Sequence, residues 1–427
     1  MMDGMEKPMS QLSGRAALPR AMKLALKATA CLGALALLGA TASAQAPTPD
    51  QAVRMYSRIA GIPPNATELA QMLAASSPVQ AALVATNDPK FYNDTIRNLV
   101  APWTNRAQSV FVPLNDYTAT VIGMVRDNVP FNTVLSADIL YVGTGSLGEG
   151  SYSPDNNNMY INLDAANADL SSPAVLKQTT QSSLTGIPSA ATAGIITTRG
   201  AASAFFVNGT NRAMFRFTMI NHLCNDLPTV MDTTRPPDRI RQDVTRSPGG
   251  VSTLFLTNCI GCHSGMDPMA QAFAYYNFQY PASEIGATAW PIGQIVYTVG
   301  QTQPKYHINN TNFPQGFNTP DDSWTNRWRT GPNQLLGWAA SVPGTTTPGS
   351  GQGAKSLGQE LESSYAFASC HVTQVFKTVC LRAPASSSVQ NASNGDGAQI
   401  QSMITSFQNG YSLRQVFAEA AAYCMGD

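Results

Sequence analysis

Cys259-Ile260-Gly261-Cys262-His263-Ser264-Gly265-Met266-Asp267-Pro268 lies past the middle of a 427-residue chain, and its first five residues govern how the remainder is read. Two thiols separated by two residues and followed at once by an imidazole form the C-x-x-C-H pattern. In that pattern the sulfurs add to the two vinyl groups of a haem, and the histidine binds its iron from one face. The two intervening residues make one tight turn that sets the sulfurs at the separation of the vinyl-bearing ring edges. Gly261 relieves crowding where backbone nears the macrocycle. The sequence thus points to one covalent haem c held by Cys259, Cys262 and His263, with His263 as axial ligand. With 7 Cys and 4 His in the chain, chance alone gives roughly one such match per thousand chains. Zinc would need a second ligand pair, which Cys370-His371 offers only through a long-range contact. A redox dithiol needs no adjacent histidine.

The segments beside the motif extend this expectation. The mostly apolar run 251–258 leads into the attachment turn as a short helix. Asp267-Pro268 reads as the N-cap and first turn of a further helix over 269–278. Phe273, Tyr275, Tyr276 and Phe278 on that helix either wall the macrocycle or pack an ordinary core. Arg235, Arg239, Arg241 and Arg246 precede the motif and suit the two haem propionates, with salt bridges to Asp232, Asp238 and Asp243 as the alternative.

At the N-terminus, Arg15, Arg20, Lys23 and Lys27 precede an apolar run over 28–40 that ends in Ala42-Ser43-Ala44. This is the layout of a secretory signal peptide over 1–44, cleaved after Ala44. The run falls short of the roughly 20 residues a membrane span needs, so no stable membrane insertion is expected after cleavage. A periplasmic or secreted location follows, and covalent haem attachment beyond the inner membrane makes the same demand. Loss of Cys31 with the signal leaves Cys224, Cys370, Cys380 and Cys424 besides the motif pair, an even number that suits two disulfides. Cys370 and Cys380 share one expected helix, where ten residues span about 15 Å, beyond the roughly 7 Å reach of a disulfide. The C-terminal helices bring Cys380 and Cys424 to one end, so the pairing expected is Cys380 with Cys424 and Cys224 with Cys370. Four free buried thiols are the alternative.

Apolar residues make up 43% of the chain, enough to bury a sizeable core, whereas charged residues make up 12%, about half the usual share. The 26 Lys and Arg balance 26 Asp and Glu, so nothing concentrates a polyanion and nucleic acid is set aside as a partner. Helical patterns run over 50–60, 66–75 and 89–99, with Asp50 and Thr67 as capping candidates and Pro63-Pro64 and Pro78 as turns. A helix and a short extended segment fill 118–141, and 143–200 reads as long irregular connections. Helix returns over 211–224, a strand pattern over 292–299, a Gly/Thr/Ser linker over 344–353, and three helical stretches over 357–381, 397–408 and 413–424 close the chain. The expected fold class is mainly α, with short β segments and long irregular loops. The expected divisions are the signal peptide 1–44, a helical and irregular region 45–200, a c-type haem module 201–285 and a C-terminal region 286–427 with a helical end.

Arg212 with Cys224, the Pro- and Arg-rich stretch after it, and Cys-Ile-Gly-Cys-His-Ser-Gly-Met-Asp-Pro followed by Ala272-Phe273 resemble the planctomycete-type secreted cytochrome c domain family of unknown function. Upstream, Asp127-Asn128-Val129-Pro130-Phe131 with Ala137-Asp138 is similar to the module that usually precedes it. Downstream, Phe367-Ala368-Ser369-Cys370 running to Leu381-Arg382 is similar to its C-terminal module. Ala270 and Ala274 depart from the family, which usually has Gly and an acidic residue there. The resemblance implies a c-type haem protein and names no reaction.

The face of the iron opposite His263 decides between roles. A second strong protein ligand makes an electron carrier, and an open site permits oxygen or peroxide chemistry. Met266 and Met269 lie too close to His263 to reach that face easily. His307, in a Pro- and Asn-rich loop, is the first candidate as second metal ligand, with His371, His222, Met219 and Met403 as alternatives. The run 349–356 mimics a phosphate loop, but Ala354 separates Gly353 from Lys355 and breaks G-x-x-x-x-G-K-[ST]. Neither G-x-S-x-G nor His-Glu-x-x-His occurs to indicate a hydrolase. The leading expectation is a single-haem electron-transfer protein whose partner is another redox protein. A haem enzyme, oxidase or peroxidase-like, is the alternative, as is an accessory protein with structural haem.

Overall fold

The structure is a computed structural model that describes residues 46–207, 211–239, 241–242, 253, 255–280, 292–311, 314–343, 345, 347–385 and 396–426. The expected signal peptide, Asp243, Arg246 and most of 251–254 lie outside them. The chain is mainly α, as its periodicity implies, with short strands in small sheets. Ala44–Asp427 gathers into one unit.

Helix starts are set by local chemistry. In α1 (Pro49–Ala60) the cap is Thr48 rather than Asp50, because Thr48 and Gln51 exchange side-chain and backbone hydrogen bonds. Asn65 and Glu68 do the same for α2 (Ala66–Leu73), displacing Thr67. Pro78 opens α3 (Pro78–Ala85) instead of marking a turn, since its missing N–H is an orphan at the first helical position anyway and Ser77 caps the helix. A π-helical turn over Phe91–Ile96 runs into α4 (Arg97–Val100). α5 (Asp116–Arg126) carries the buried Asp116, whose carboxylate accepts from the backbone N–H groups of Arg199 and Gly200 at 2.6 and 2.8 Å.

The region 143–200 is less irregular than expected. β1 (Leu140–Gly143) pairs antiparallel with β2 (Leu176–Thr179). Between and after them come α6 (Asn158–Ala165), α7 (Ser182–Thr185) and α8 (Arg199–Phe205), the last fixed by Asp116. Then follow α9 (Arg212–Leu223), α10 (Ile260–Ala270) and a hairpin of β3 (Tyr276–Gln279) with β4 (Gln294–Tyr297). β5 (Ser323–Thr325) pairs with β6 (Ser350–Gln352), so part of the expected linker over 344–353 is a strand. Four helices close the chain: α11 (Gly353–Glu362), α12 (Tyr365–Cys380), α13 (Gly397–Gln408) and α14 (Leu413–Tyr423). The expected helix over 357–381 is split because Ser364 caps a new start at Tyr365. Among the described residues no helix is long and apolar enough to cross a membrane.

The core joins both ends of the chain. α14 packs on α3, α1, α12 and α13, while α9 lies against α12 on one side and α8 and α10 on the others. Disulfides lock this arrangement as the cysteine spacing predicts. Cys224 at the end of α9 joins Cys370 with Cα atoms 5.2 Å apart, and Cys380 joins Cys424 at 5.6 Å.

Beside the first disulfide, His222 and His371 are fully buried. The Tyr117 hydroxyl lies 2.8 Å from His222 Nε2, and His222 Nδ1 lies 3.3 Å from His371 Nε2. A consistent assignment has Tyr117 donate to His222 and His222 donate to His371, which requires neutral rings. Trp103, Phe131 and Phe367 surround the pair. Burial lowers the pKa of His222 to about 3 and that of His371 well below the ordinary value. Above pH 6.5 both folded and unfolded chains hold neutral rings. Below it the unfolded chain binds protons the folded one refuses, so stability falls towards pH 3, by up to about 1.4 kcal/mol per histidine per pH unit. Burial raises the pKa of Glu362 and Asp322 and gives them the opposite pH trend, so the histidines are read by difference. In thermal unfolding from pH 7.5 to 5, the Tm advantage of the wild type over His222→Asn/His371→Asn is expected to shrink; a constant difference would contradict the assignment.

Candidate haem-attachment site

The motif straddles a helix start. A π-helical turn over Phe255–Cys259 delivers Cys259 to the N-terminus of α10, whose first turns carry Cys262 and His263. Among the described cysteines, these two are the ones left free, and both are half-buried. The thiol of Cys262 lies 3.7 Å from the Leu227 carbonyl oxygen, and burial raises its pKa. Backbone bonding holds the facing segment down: Asp232 N donates to the Gly261 carbonyl at 2.9 Å and Ser264 Oγ donates to the Asp232 carbonyl at 2.9 Å. Two large apolar side chains stand at this surface, Met231 at 56% and Leu256 at 49% exposure. Met231 lies directly against Gly261, between the two cysteines in sequence.

His263 is tied by one nitrogen and has the other to offer. Its Nδ1 is 3.1 Å from Asp267 Oδ2, one helical turn on, and its ring packs 5.4 Å from that of Phe255. Its side chain is 22% exposed, whereas that of Asp267 is 1% exposed. Asp267 also takes a two-pronged bond from Arg212, Nε to Oδ1 at 2.7 Å and Nη2 to Oδ2 at 3.0 Å, and Arg241 Nη2 stands 3.7 Å from Oδ1. Burial by itself would raise the pKa of this carboxyl. Arg212, His263 and Arg241 outweigh it and hold the group ionised, well below the usual range.

This arrangement corrects two expectations. Asp267-Pro268 does not start a helix, because the Asp267 carboxylate is engaged by Arg212, His263 and Arg241 and α10 continues to Ala270. The helix expected over 269–278 holds only in its first half: α10 ends at Ala270, a 3-10 turn follows over Gln271–Phe273, and Tyr276–Gln279 forms β3, where its aromatics pair across to β4. Phe273 and Tyr276 pack on Phe206 at 5.6 Å, in the core.

The arginines divide. Arg235 pairs with Asp232 at 3.0 Å, as the salt-bridge alternative has it, and donates to Thr330. Asp238 instead pairs with Arg327. Arg239 stacks 4.5 Å over Phe317 and donates to Gln271. Arg241 is buried, stacked 4.7 Å over Tyr306.

His307 follows a turn anchored behind α10. Lys305 Nζ donates to the Phe206 carbonyl, Asn211 and Asn277 at 2.6–2.7 Å, and Tyr306 Oη donates to the Ala270 carbonyl at 3.4 Å. Arg241, stacked over Tyr306, links this turn to Asp267, 3.7 Å away. His222 and His371 bond each other in the core, Met219 and Met403 are buried there, and Cys370 is consumed in a disulfide. The zinc pair Cys370-His371 is therefore committed elsewhere.

Asp267 as partner of His263 was not read from the sequence, although the four-residue spacing on one helix was a signal for it. Met231 carried no such signal, since only the fold brings it against Gly261. Compared with known protein families, curated proteins and solved structures, the chain matches none.

The two glycines of α10 differ in what they touch. A Cβ at Gly265 would meet the buried Trp328 indole at 2.0 Å, while one at Gly261 would meet the flexible, half-exposed Met231 at 2.2 Å. Gly265→Ala is expected to cost about 1–3 kcal/mol in urea unfolding, and Gly261→Ala to be close to neutral because Met231 can swing away. Equal effects would contradict this packing.

Proposed function

We propose that the chain is an exported c-type cytochrome, carrying one haem c on Cys259 and Cys262 with His263 as axial ligand and working in electron transfer in the periplasm or cell envelope. The observation that carries this reading is the state of the three motif side chains. Four other cysteines form two disulfides, whereas Cys259 and Cys262 stay free and half-exposed. His263 has Nδ1 engaged by Asp267, which leaves Nε2 as the donor for a metal. Met231 and Leu256 offer exposed apolar surface for a macrocycle beside them. These residues fit the group that the motif implies.

The haem, once bound, supplies one-electron chemistry at a potential the protein sets. Cys259 and Cys262 would hold it covalently, which would keep it from being lost outside the cell. His263 would be the iron ligand, its ring oriented by Asp267. The partner is a second redox protein.

One observation favours a second reading, a haem enzyme with an open distal face. An axial imidazole that donates to a buried carboxylate is a richer electron donor, which suits reactions with oxygen or peroxide. Expression with intact haem maturation, followed by the reduced spectrum and then carbon monoxide, separates these readings. A c-type band unmoved by carbon monoxide supports electron transfer; a shifted band supports the enzyme. Cys259→Ser/Cys262→Ser should lose covalent haem while Cys224→Ala/Cys370→Ala keeps it. A colourless wild-type protein would overturn the reading.

A further inference from the structure

We infer that Asp267 is a positioning residue that sets the reduction potential of the iron through His263, and that Arg212 governs how strongly it does so. The inference rests on the haem reading above. It starts from the geometry of one carboxylate with two oxygens and competing donors. Oδ2 is shared between His263 Nδ1 at 3.1 Å and Arg212 Nη2 at 3.0 Å, while Oδ1 receives Arg212 Nε at 2.7 Å. The group is 1% exposed, so water does not dilute these bonds and each is strengthened by the low dielectric around it.

A carboxylate accepting from Nδ1 fixes the tautomer of the ring and adds electron density to Nε2. Greater density there stabilises the oxidised iron and lowers the potential. Arg212, reaching in from the first turn of α9 with a fork that matches the carboxylate, draws on the same negative charge. The pull on His263 is what Arg212, with Arg241 3.7 Å from Oδ1, leaves over. Two substitutions therefore act in opposite directions. Asp267→Asn removes the charge and raises the potential, and Arg212→Gln releases the carboxylate to His263 and lowers it.

Opposite signs alone would also follow from two distant charges acting separately through space. A double variant distinguishes the cases, because Arg212 acting through Asp267 has little left to do once residue 267 is uncharged. The test is a potentiometric titration of wild type, Asp267→Asn, Arg212→Gln and the double variant, each first checked for covalent haem by intact mass. Asp267→Ser and Arg212→Met replace any member that does not fold, since each likewise removes the charge.

The expected result is at least a tenfold change in the reduction equilibrium for Asp267→Asn, about 59 mV for a one-electron couple. The shift for Arg212→Gln should have the opposite sign and be mostly lost in the double variant. Haem-loaded variants with an unchanged potential, or shifts that simply add, would overturn the role of Asp267 and leave the haem reading standing. A wild-type protein without covalent haem overturns both.

Discussion

A carboxylate cannot be buried without partners, and the way Asp267 is satisfied organises the motif region. Its two oxygens gather His263 from one turn earlier on α10, Arg212 from the start of α9 and Arg241 from the Pro- and Arg-rich segment. Three stretches far apart in sequence meet at one charge. Loss of Arg212 would remove the two-pronged bond and leave the buried charge to His263 and the more distant Arg241. The same geometry that satisfies the carboxylate orients the imidazole, so folding and ligand positioning depend on one set of bonds.

α9 passes this order on to the rest of the molecule. Its first residue, Arg212, grips Asp267, and its other end carries His222 and leads into Cys224, which is bonded to Cys370 of α12. About 15 Å of helix thus connects the motif to the core formed by the N- and C-terminal helices. On the solvent side, Met231 is half-exposed against Gly261, which lies between two free cysteines in sequence.

Local signals carried much of the fold. Periodicity located α1, α5, α9 and the C-terminal helices, and alternation located β4. Cysteine spacing with helix geometry named both disulfides. The errors came where tertiary partners overrode a correct local rule. Asp267-Pro268 has the composition of a helix start, yet Arg212 and His263 claim the side chain that would have capped it. Tyr276 and Phe278 sit in a helix-like apolar run, yet their aromatic rings pack better across the hairpin to β4. Cys259, Cys262 and His263 stand out in the sequence because the C-x-x-C-H pattern spans five adjacent residues. The surroundings of His222 and His371 were not, because their bond joins residues 149 positions apart.

The central claim is a porphyrin bonded to two named sulfurs, and peptide mapping by tandem mass spectrometry reads it directly. Cleavage after Arg246 and Lys305 releases one peptide, 247–305, that holds both cysteines and His263. The account predicts that this peptide carries haem through Cys259 and Cys262. The bare peptide, or one with those cysteines joined to each other, would contradict it.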